Sequence, residues 1–381
     1  MITCIEDLRI LARRRVPRMF YDYVDSGSWS EGTYRENTAA LARIGLEQRV
    51  LRDISERRLG KKILGTPARI PVGLAPLGMA GMQSADGEIH AARAAFRFGV
   101  PFTLSTFSIC SLEDVAAAVD EPFWFQLYVM RERDFSARLM ERARAAGCSA
   151  LVLTVDLPVL GQRHKDLRNG LTAPPRLTFL NLCDLARRPR WCLGMARTRR
   201  RAFGNIFGHV RGVDDMSSLM AWASQQLDAS LSWDDIGWVR EHWDGRLVIK
   251  GILHGDDARR AAEVGADAVV VSNHGGRQLD GARAAITVLP EVVSAVGGKV
   301  EVLFDSGIRS GQDILKALAL GADGTLIGRA YGWGLGAMGG AGVECALELL
   351  ERELSLTMAL CGVNDVEDLS REHLVASTIP N

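Results

Sequence analysis

The sequence predicts a (β/α)8 barrel, a closed ring of eight parallel strands surrounded by helices. Short apolar segments recur eight times, each is followed by a stretch with helical periodicity, and polar residues or glycines stand where most of these segments end. A chain of 381 residues can hold two or three domains, but a single barrel also reaches this length. We therefore predict one domain over residues 1–381.

The predicted elements follow one another in a simple order. Residues 1 to about 60 read as helices that cover the barrel, and the strands come after them. Between the fourth and fifth strands lie roughly 90 residues where a βα unit needs about 30, so we predict a long insertion over about 164–230. The predicted strands are 71–75, 101–104, 123–128, 150–155, 247–250, 268–272, 300–304 and 324–327.

The alternative to the barrel is an open, doubly wound parallel sheet. In such a fold, the turn after the first strand carries a G-x-G-x-x-G motif that binds a dinucleotide. Residues 76–81 read PLGMAG at this place and lack that motif. The barrel is therefore the favoured fold class.

Composition excludes several classes of protein. Lys plus Arg and Asp plus Glu both total 46, so no overall charge attracts nucleic acid or a membrane. Seven cysteines without a C-x-x-C pair favour neither a disulfide framework nor a zinc site, and a reducing cytosol fits them best. The first residues lack the apolar region of a secretory signal, and the longest uncharged stretches, 70–85 and 330–343, are too short to span a bilayer.

Polar residues and glycines occur at nearly every predicted strand end. In a barrel these ends meet at one face, which is the active face. One such residue could be a satisfied buried polar group, but so many at one face predict a binding site. They are Gly78, Ser105, Gln126, Tyr128, Thr154, Asp156, Lys250, the segments 272–277 (SNHGGR) and 305–309 (DSGIR), and Gly328 with Arg329.

The last two strand ends predict a phosphate site. Gly307 and Gly328 lie in turns that expose backbone N–H groups, and Arg309 and Arg329 add positive charge. Lys250 ends the apolar run LVIK, where a cation is costly unless an anion or a cofactor meets it. A flavin that becomes anionic on reduction would suit this lysine.

A set of motifs resembles a known family. The most specific is SNHGGRQLD at 272–280, together with FQLY at 125–128, TVD at 154–156 and DSGIR at 305–309. In this order they resemble the FMN-dependent 2-hydroxy acid dehydrogenases and oxidases, and within that family the bacterial respiratory L-lactate dehydrogenases. The resemblance runs from about residue 7 to the C-terminus.

The resemblance implies FMN as cofactor and the oxidation of an L-2-hydroxy acid, above all L-lactate to pyruvate, with electrons passed to the respiratory chain. Two alternatives stay open. One is a soluble L-2-hydroxy acid oxidase that uses oxygen, and the other is a dehydrogenase for a larger or aromatic 2-hydroxy acid such as mandelate. A different enzyme on the same scaffold, or a non-catalytic binding protein, is disfavoured because neither needs this set of motifs.

The resemblance also implies roles for residues near the substrate. His274 would be the base, Asp156 would set its tautomer and stabilise the imidazolium, and Tyr128 would face the substrate hydroxyl. Whether the base takes the Cα proton or the hydroxyl proton stays open. Three further side chains would bind the substrate carboxylate: Tyr23, Arg163 and Arg277.

Two further groups follow from the same resemblance. The substrate side chain would be selected by Gly78, Phe107 and Leu160, and Phe107 is less typical of lactate enzymes. Lys250 would stabilise the negative charge of the reduced flavin. The residues expected to bind FMN are Ser105, Gln126, Thr154, Lys250, Ser272, Asp305, Gly307, Arg309, Gly328 and Arg329.

The insertion contains a strongly basic segment. Residues 176–201 hold eight arginines against one acid, Asp184, and apolar residues alternate with them. This pattern favours an interfacial anchor, while a solvated basic loop that covers the site stays open. No recognition motif for nucleic acid accompanies the segment. The resemblance implies peripheral binding at the cytoplasmic side of the inner membrane, quinone or another respiratory electron acceptor, and a homotetramer.

Overall fold

A computed structural model describes residues 1–171, 178–210, 222 and 225–380. Its centre is a parallel sheet of eight strands, each of which overlaps one of the predicted segments. The strands are β3 (Val72–Leu74), β4 (Thr103–Ser105), β5 (Trp124–Leu127), β6 (Ala150–Thr154), β7 (Arg246–Ile252), β8 (Ala268–Val271), β9 (Glu301–Phe304) and β10 (Gly324–Ile327).

The sheet closes into a ring. Its strands are hydrogen-bonded in the order β3-β10-β9-β8-β7-β6-β5-β4, and a parallel bridge between Leu74 and Phe102 joins the first strand to the last. The interior is filled by apolar side chains such as Val152, Val248 and Leu303, all fully buried. The predicted (β/α)8 barrel is confirmed. Its strands could be predicted because strands that are buried on both faces consist of apolar runs.

A small hairpin precedes the barrel and was not among the predicted elements. Strands β1 (Lys61–Ile63) and β2 (Thr66–Ala68) pair antiparallel. Ile63 and Leu64 pack into the barrel interior, and the backbone N–H of Leu64 donates to Glu301 at the start of β9 (2.8 Å). The hairpin therefore closes the end of the barrel opposite the active face.

The helices surround this ring as expected. The predicted N-terminal cover consists of α1 (Ile5–Arg15), α2 (Arg18–Asp25) and α3 (Gly32–Arg43). The barrel helices are α4 (Gly87–Phe98), α5 (Leu112–Ala116), α6 (Arg133–Ala145), α11 (Gly255–Glu263), α12 (Ala285–Val296), α13 (Gly311–Ala319), α14 (Arg329–Met338) and α15 (Gly340–Cys361). Between β6 and β7 lie α7 (His164–Arg168), α8 (Phe179–Ala186), α9 (Pro189–Arg197) and α10 (Asp235–His242).

The N-terminal cover is fastened to the loop after β8. Asn37 of α3 and Asn273 exchange two side-chain hydrogen bonds of 2.8 and 2.7 Å, and both residues are buried. The carboxylate of Asp280 accepts from the backbone N–H groups of Ser30 (2.9 Å) and Thr33 (2.8 Å). Buried hydrogen bonds between amide groups are costly to break, so they fix the position of the cover relative to the loop after β8.

The insertion packs against the cover and against the loops above the first strands. Trp191 of α9 stacks on Phe20 with ring centroids 5.3 Å apart, and its indole N–H donates to the carbonyl oxygen of Met82 (2.9 Å). Farther along, the hydroxyl of Thr198 donates to Asp86 (2.7 Å). One face of the insertion is thus fixed to the barrel.

Candidate active site

A cavity of about 530 Å³ opens at the carboxyl ends of the strands. This volume lies within the range of roughly 300–1,000 Å³ that is usual for ligand sites. Most of the predicted site residues line it. They are Tyr23, Gly78, Ser105, Phe107, Tyr128, Thr154, Leu160, Arg163, Lys250, His274, Arg277, Asp305, Gly307, Arg309, Gly328 and Arg329.

Three predicted residues lie behind the cavity wall instead. Asp156 is bonded to His274, and Gln126 accepts a hydrogen bond from the Ser105 hydroxyl at its Oε1 (3.1 Å). Ser272 accepts from the ammonium of Lys250 (2.8 Å) and from the backbone N–H of His274 (3.0 Å). Each of these residues can therefore orient a side chain that does face the cavity.

His274 and Asp156 form a largely buried pair, with side chains 20% and 12% exposed. The Nδ1 of His274 lies 2.8 Å from Oδ1 of Asp156, so Nδ1 carries the proton and Nε2 is left to accept one. Burial lowers the pKa of His274, and the Asp156 carboxylate opposes that change only in part. Burial alone would raise the pKa of Asp156, but His274 and the ammonium of Lys250 lower it below its usual value.

The backbone that presents His274 is left-handed over three successive residues. Their φ angles are 57° at His274, 66° at Gly275 and 72° at Gly276. A side chain on Gly276 would collide with the backbone of Tyr34, so only glycine fits there. A histidine with positive φ is strained, and strain of this kind is usually retained where it positions a functional group.

Lys250 supplies a buried positive charge at the floor of the cavity. Its Nζ lies 2.7 Å from Oδ2 of Asp305, and its side chain is 4% exposed. Burial would lower its pKa, but Asp305 and Asp156 outweigh burial and raise it, so the lysine stays charged. Thr154 Oγ1 in the cavity wall and Gln126 Nε2 behind that wall are buried and without a hydrogen-bond partner within the described residues. A polar ligand would satisfy them.

The turns after β9 and β10, which were predicted to bind a phosphate, line the cavity. Within the described ranges, the backbone N–H groups of Gly307, Ile308 and Gly328 have no protein acceptor. Arg309 is half-buried, and its guanidinium lies 4.7 Å from the centroid of the Trp333 ring. Burial lowers the pKa of Arg309, although Tyr34 and Asp313 oppose that change.

Arg329 also has a structural role that was not predicted from the sequence. Its guanidinium donates to the carbonyl oxygens of Val24 (2.9 Å), Ser26 (2.8 Å) and Gly275 (2.8 Å). These bonds tie the N-terminal cover to the loop that carries His274. Burial lowers the pKa of Arg329 to about 9, so an anion in the cavity would stabilise its charged form.

Two largely buried arginines, Arg163 and Arg277, lie over the ring of Tyr23. The guanidinium of Arg277 lies 4.7 Å from the centroid of the Tyr23 ring, and that of Arg163 lies 5.8 Å from it. Arg277 also donates to the carbonyl oxygens of Tyr23 and Ser26. Burial, and secondly the charge of Arg163, lower the pKa of Arg277 to about 10. Two desolvated guanidinium groups at one place favour a carboxylate ligand.

Asp166 completes this charged group, and the sequence analysis did not find it. Its Oδ2 lies 3.4 Å from Arg163, and the residue is buried and lines the cavity. Burial raises the pKa of Asp166, although both arginines oppose that change. The spacing of three residues from Arg163 on α7 is the signal that could have identified it.

The rest of the cavity wall is apolar and partly aromatic. The ring of Phe107 lies 5.4 Å from that of Tyr128 and 5.6 Å from that of Phe203, between centroids. Phe203 belongs to the insertion and was not predicted as a site residue. Burial, and secondly Asp156, raise the pKa of Tyr128, so its hydroxyl stays protonated.

A comparison with known protein families assigns the chain to one of them. The model of the FMN-dependent dehydrogenases matches residues 12–376. The chain belongs to this family. As an FMN-dependent dehydrogenase it is an oxidoreductase whose cofactor is FMN, and the predicted family and cofactor are confirmed.

Relatives of this FMN-dependent dehydrogenase cover its full length. The L-lactate dehydrogenase of Vibrio parahaemolyticus is 43% identical over 376 residues, which are 98% of this chain and 99% of the relative. The L-lactate dehydrogenase of Caulobacter vibrioides is 44% identical over 382 residues, with coverage of 100% and 99%.

Solved structures show the same fold. The crystal structure of the monotopic membrane protein (S)-mandelate dehydrogenase has a TM-score of 0.94 at 37% identity and covers 98% of this chain and 99% of that one. That of mandelate oxidase has a TM-score of 0.84 at 38% identity, with coverage of 98% for both chains. In the part of this dehydrogenase that the structure describes, no helix has the length and apolarity needed to cross a bilayer.

The cavity of this dehydrogenase fits FMN. The unpartnered Thr154 Oγ1 and Gln126 Nε2 and the charged Lys250 suit a ring system with hydrogen-bonding edges. The N–H groups of the turns after β9 and β10 suit a phosphate group. The cavity leaves the His274 and arginine side open for a second ligand.

Proposed function

We propose that this protein oxidises an L-2-hydroxy acid, with L-lactate as substrate and pyruvate as product, and passes the electrons to the respiratory chain. One observation carries the proposal. His274, which is bonded to Asp156, and two largely buried arginines, Arg163 and Arg277, line the same cavity that fits FMN. The L-lactate dehydrogenases among the full-length relatives support the choice of substrate.

The arginines and Tyr23 would hold the substrate by its carboxylate. The guanidinium groups of Arg277 and Arg163 lie 4.7 and 5.8 Å from the centroid of the Tyr23 ring, and the Tyr23 hydroxyl adds a third donor. Because both guanidinium groups are largely buried, a carboxylate that contacts them gains charge-assisted hydrogen bonds that water weakens little. This grip orients the carbon that carries the hydroxyl group toward His274.

His274 would take one proton from the bound substrate. At neutral pH its lowered pKa keeps Nε2 free to accept the proton, while Nδ1 stays bonded to Asp156. The charge that arises on the imidazole is then stabilised by the Asp156 carboxylate at 2.8 Å. Tyr128, held protonated by burial, would donate to the substrate hydroxyl oxygen.

FMN, when bound, would accept the two electrons that leave the substrate together with the proton that His274 does not take. Its phosphate would bind at Gly307, Arg309, Gly328 and Arg329. Its ring would lie along the wall that contains Lys250. The other residues proposed for this wall are Ser105, Gln126, Thr154, Ser272 and Asp305. Lys250 stays charged beside Asp305 and would stabilise negative charge on the ring.

Anaerobic mixing with 2-hydroxy acids tests the proposal. The protein should be yellow as purified and should lose its flavin absorbance when L-lactate is added without oxygen. D-lactate is the matched control and should leave the absorbance unchanged, since the arginines and His274 fix the handedness of the bound acid. A colourless protein that takes up no FMN, or bound flavin that no 2-hydroxy acid bleaches, would refute the proposed function.

A larger or aromatic 2-hydroxy acid is the second candidate substrate. The aromatic residues Phe107 and Phe203 at the cavity wall favour it, and so does the similarity to (S)-mandelate dehydrogenase. The same mixing experiment with (S)-mandelate decides between them. Faster bleaching by (S)-mandelate than by L-lactate at equal concentration would make the aromatic acid the better substrate.

The exposed side of the insertion supports a membrane-bound enzyme. Phe179, Leu180 and Leu193 are exposed by 78%, 76% and 52%. The arginines Arg187, Arg190, Arg197 and Arg199 are exposed as well. Apolar side chains flanked by arginines are typical of segments that enter the headgroup region of anionic membranes.

Other arginines of this segment serve the fold instead. Arg188 donates to carbonyl oxygens at the end of α1, and Arg200 pairs with Asp86 (3.0 Å) and Asp114 (2.8 Å). Arg176 lies outside the described residues. The proposal therefore assigns peripheral binding to the exposed subset alone, at the cytoplasmic side of the inner membrane, with quinone as acceptor and with a homotetramer as the assembly.

Removing charge from the exposed side should weaken membrane binding. We expect the triple variant R187Q/R190Q/R197Q to bind anionic phospholipid vesicles at least tenfold more weakly at low salt, as judged by co-sedimentation. The control R52Q/R352Q/R371Q removes three exposed arginines elsewhere and should bind like the wild type. Both variants should keep flavin reduction by substrate. If the wild type does not sediment with the vesicles, or if the first variant loses flavin reduction, the membrane proposal is wrong.

A further inference from the structure

A short segment of the insertion is locked into the loop that follows β4. The side-chain amide of Asn205 donates to the carbonyl oxygens of Ser105 (3.2 Å) and Thr106 (3.4 Å) and to the hydroxyl of Ser108 (2.9 Å). Its Oδ1 accepts from the backbone N–H of Leu112 (2.9 Å). Asn205 is fully buried, so these bonds are shielded from water.

The neighbouring glycine lets the two backbones approach. The N–H of Gly204 donates to the carbonyl oxygen of Ser108 (3.1 Å). A Cβ atom at this position would lie 2.7 Å from the backbone nitrogen of Ser111 and 2.8 Å from the carbonyl oxygen of Ile109. The segment is therefore seated on the loop from its backbone as well as from its side chain.

This seating determines where Phe203 lies. Phe203 precedes the locked pair, is 4% exposed and lines the cavity. Its partner Phe107 comes from the same loop that Asn205 holds, and the two rings are 5.6 Å apart at an angle of 58°. No regular helix or strand in the described part of the chain contains Phe203. Its place in the wall thus depends on the bonds of the residues that follow it.

We propose that Phe203 is a specificity-determining residue that contacts an apolar substrate side chain larger than a methyl group, and that Asn205 is the positioning residue that holds it there. The inference rests on the proposed oxidation of L-2-hydroxy acids and names the contact that would favour acids with a larger side chain than that of L-lactate. Asn205 itself touches neither substrate nor flavin, because it is not among the residues that line the cavity. It acts through Phe203 and through the loop of Phe107.

The test compares two substrates across five variants. The substrates are L-lactate and (S)-2-hydroxy-4-methylpentanoate, and kcat/KM is measured with a soluble dye as acceptor. F203A should lower the ratio of kcat/KM for the longer acid to that for L-lactate by about tenfold, because methylene contacts in an apolar pocket are lost. N205A should lower the same ratio in the same direction, and the double variant F203A/N205A should lower it no further than F203A.

Two further variants, T198V and S108A, distinguish an effect on the position of Phe203 from a general loss of stability. T198V removes another bond that anchors the insertion, to Asp86, away from the cavity, and should leave the ratio unchanged. S108A removes one acceptor of Asn205 and should shift the ratio about twofold, which keeps the test valid if N205A does not fold.

The possible failures are distinct. An unchanged ratio in F203A would overturn the role of Phe203. An unchanged ratio in N205A, or in S108A if N205A is unfolded, would make Asn205 a structural residue only, and additive effects in the double variant would show that the two act independently. If no 2-hydroxy acid reduces the flavin of the wild type, the proposed function fails first.

Discussion

Replacing His274 with glutamine is expected to leave FMN bound and to slow flavin reduction by about a thousandfold. Glutamine can still donate to Asp156 from its amide group, but it cannot take a proton from the substrate at neutral pH. FMN retention follows because the proposed phosphate turns and Lys250 do not depend on the imidazole. The FMN content is measured from the absorbance of the purified variant, and the rate by anaerobic stopped-flow mixing with substrate.

The pH dependence supplies the control for this variant. Burial lowers the pKa of His274, and only the neutral imidazole accepts a proton. The wild-type reduction rate should therefore rise with pH through that lowered pKa and stay level above it, and H274Q should lack this step. H254Q, at an exposed histidine on the outside of the barrel, should behave like the wild type. Near-normal reduction by H274Q would remove His274 from its proposed role.

The barrel could be predicted because each of its strands has a recognisable pattern in the local sequence. Strands buried on both faces need apolar residues at every position, so β6 and β8 appear as the runs ALVLT and AVVV. The hairpin β1–β2 gave no such signal. Its strands have three residues each, and Pro67 interrupts the second, so neither alternation nor an apolar run is present.

The cavity could be predicted wherever a strand end supplies the residue. Closure of the barrel brings all eight carboxyl ends to one face, so Thr154, Lys250 and His274 meet there although they are far apart in sequence. Phe203 and Asp166 come from the insertion, whose path no strand periodicity determines. Their places depend on single contacts, such as that between Asp166 and Arg163, that periodicity does not encode.

The second layer of the site was the least predictable. The sequence places Arg329 directly after the eighth strand, where a phosphate was predicted to bind, but its guanidinium also donates to three carbonyl oxygens of the cover and of the His274 loop. Likewise, Gln126 and Asp156 stand at strand ends, yet they lie behind the residues that face the cavity. A position at the end of a strand predicts that a residue lies at the active face of the barrel. Whether its side chain lines the cavity or lies behind the wall depends on the neighbouring side chains.

Replacing Arg277 with lysine, although it keeps the positive charge, is expected to impair catalysis. Its guanidinium lies on the ring of Tyr23 and at the same time donates to the carbonyl oxygens of Tyr23 and Ser26. A planar group with five donors can keep these contacts and still bind a carboxylate through two parallel bonds. A lysine ammonium on a flexible stem cannot do both.

The variant R277K should therefore raise KM for the 2-hydroxy acid and lower kcat, each by about tenfold or more. KM rises because the carboxylate loses a two-point grip, and kcat falls because the acid is then held less firmly in front of His274. Steady-state kinetics with a soluble dye measure both values. The control R283K changes an exposed arginine of the same loop region, paired with Glu291, and should leave both unchanged. Kinetics of R277K equal to those of the wild type would place the carboxylate site elsewhere in the cavity.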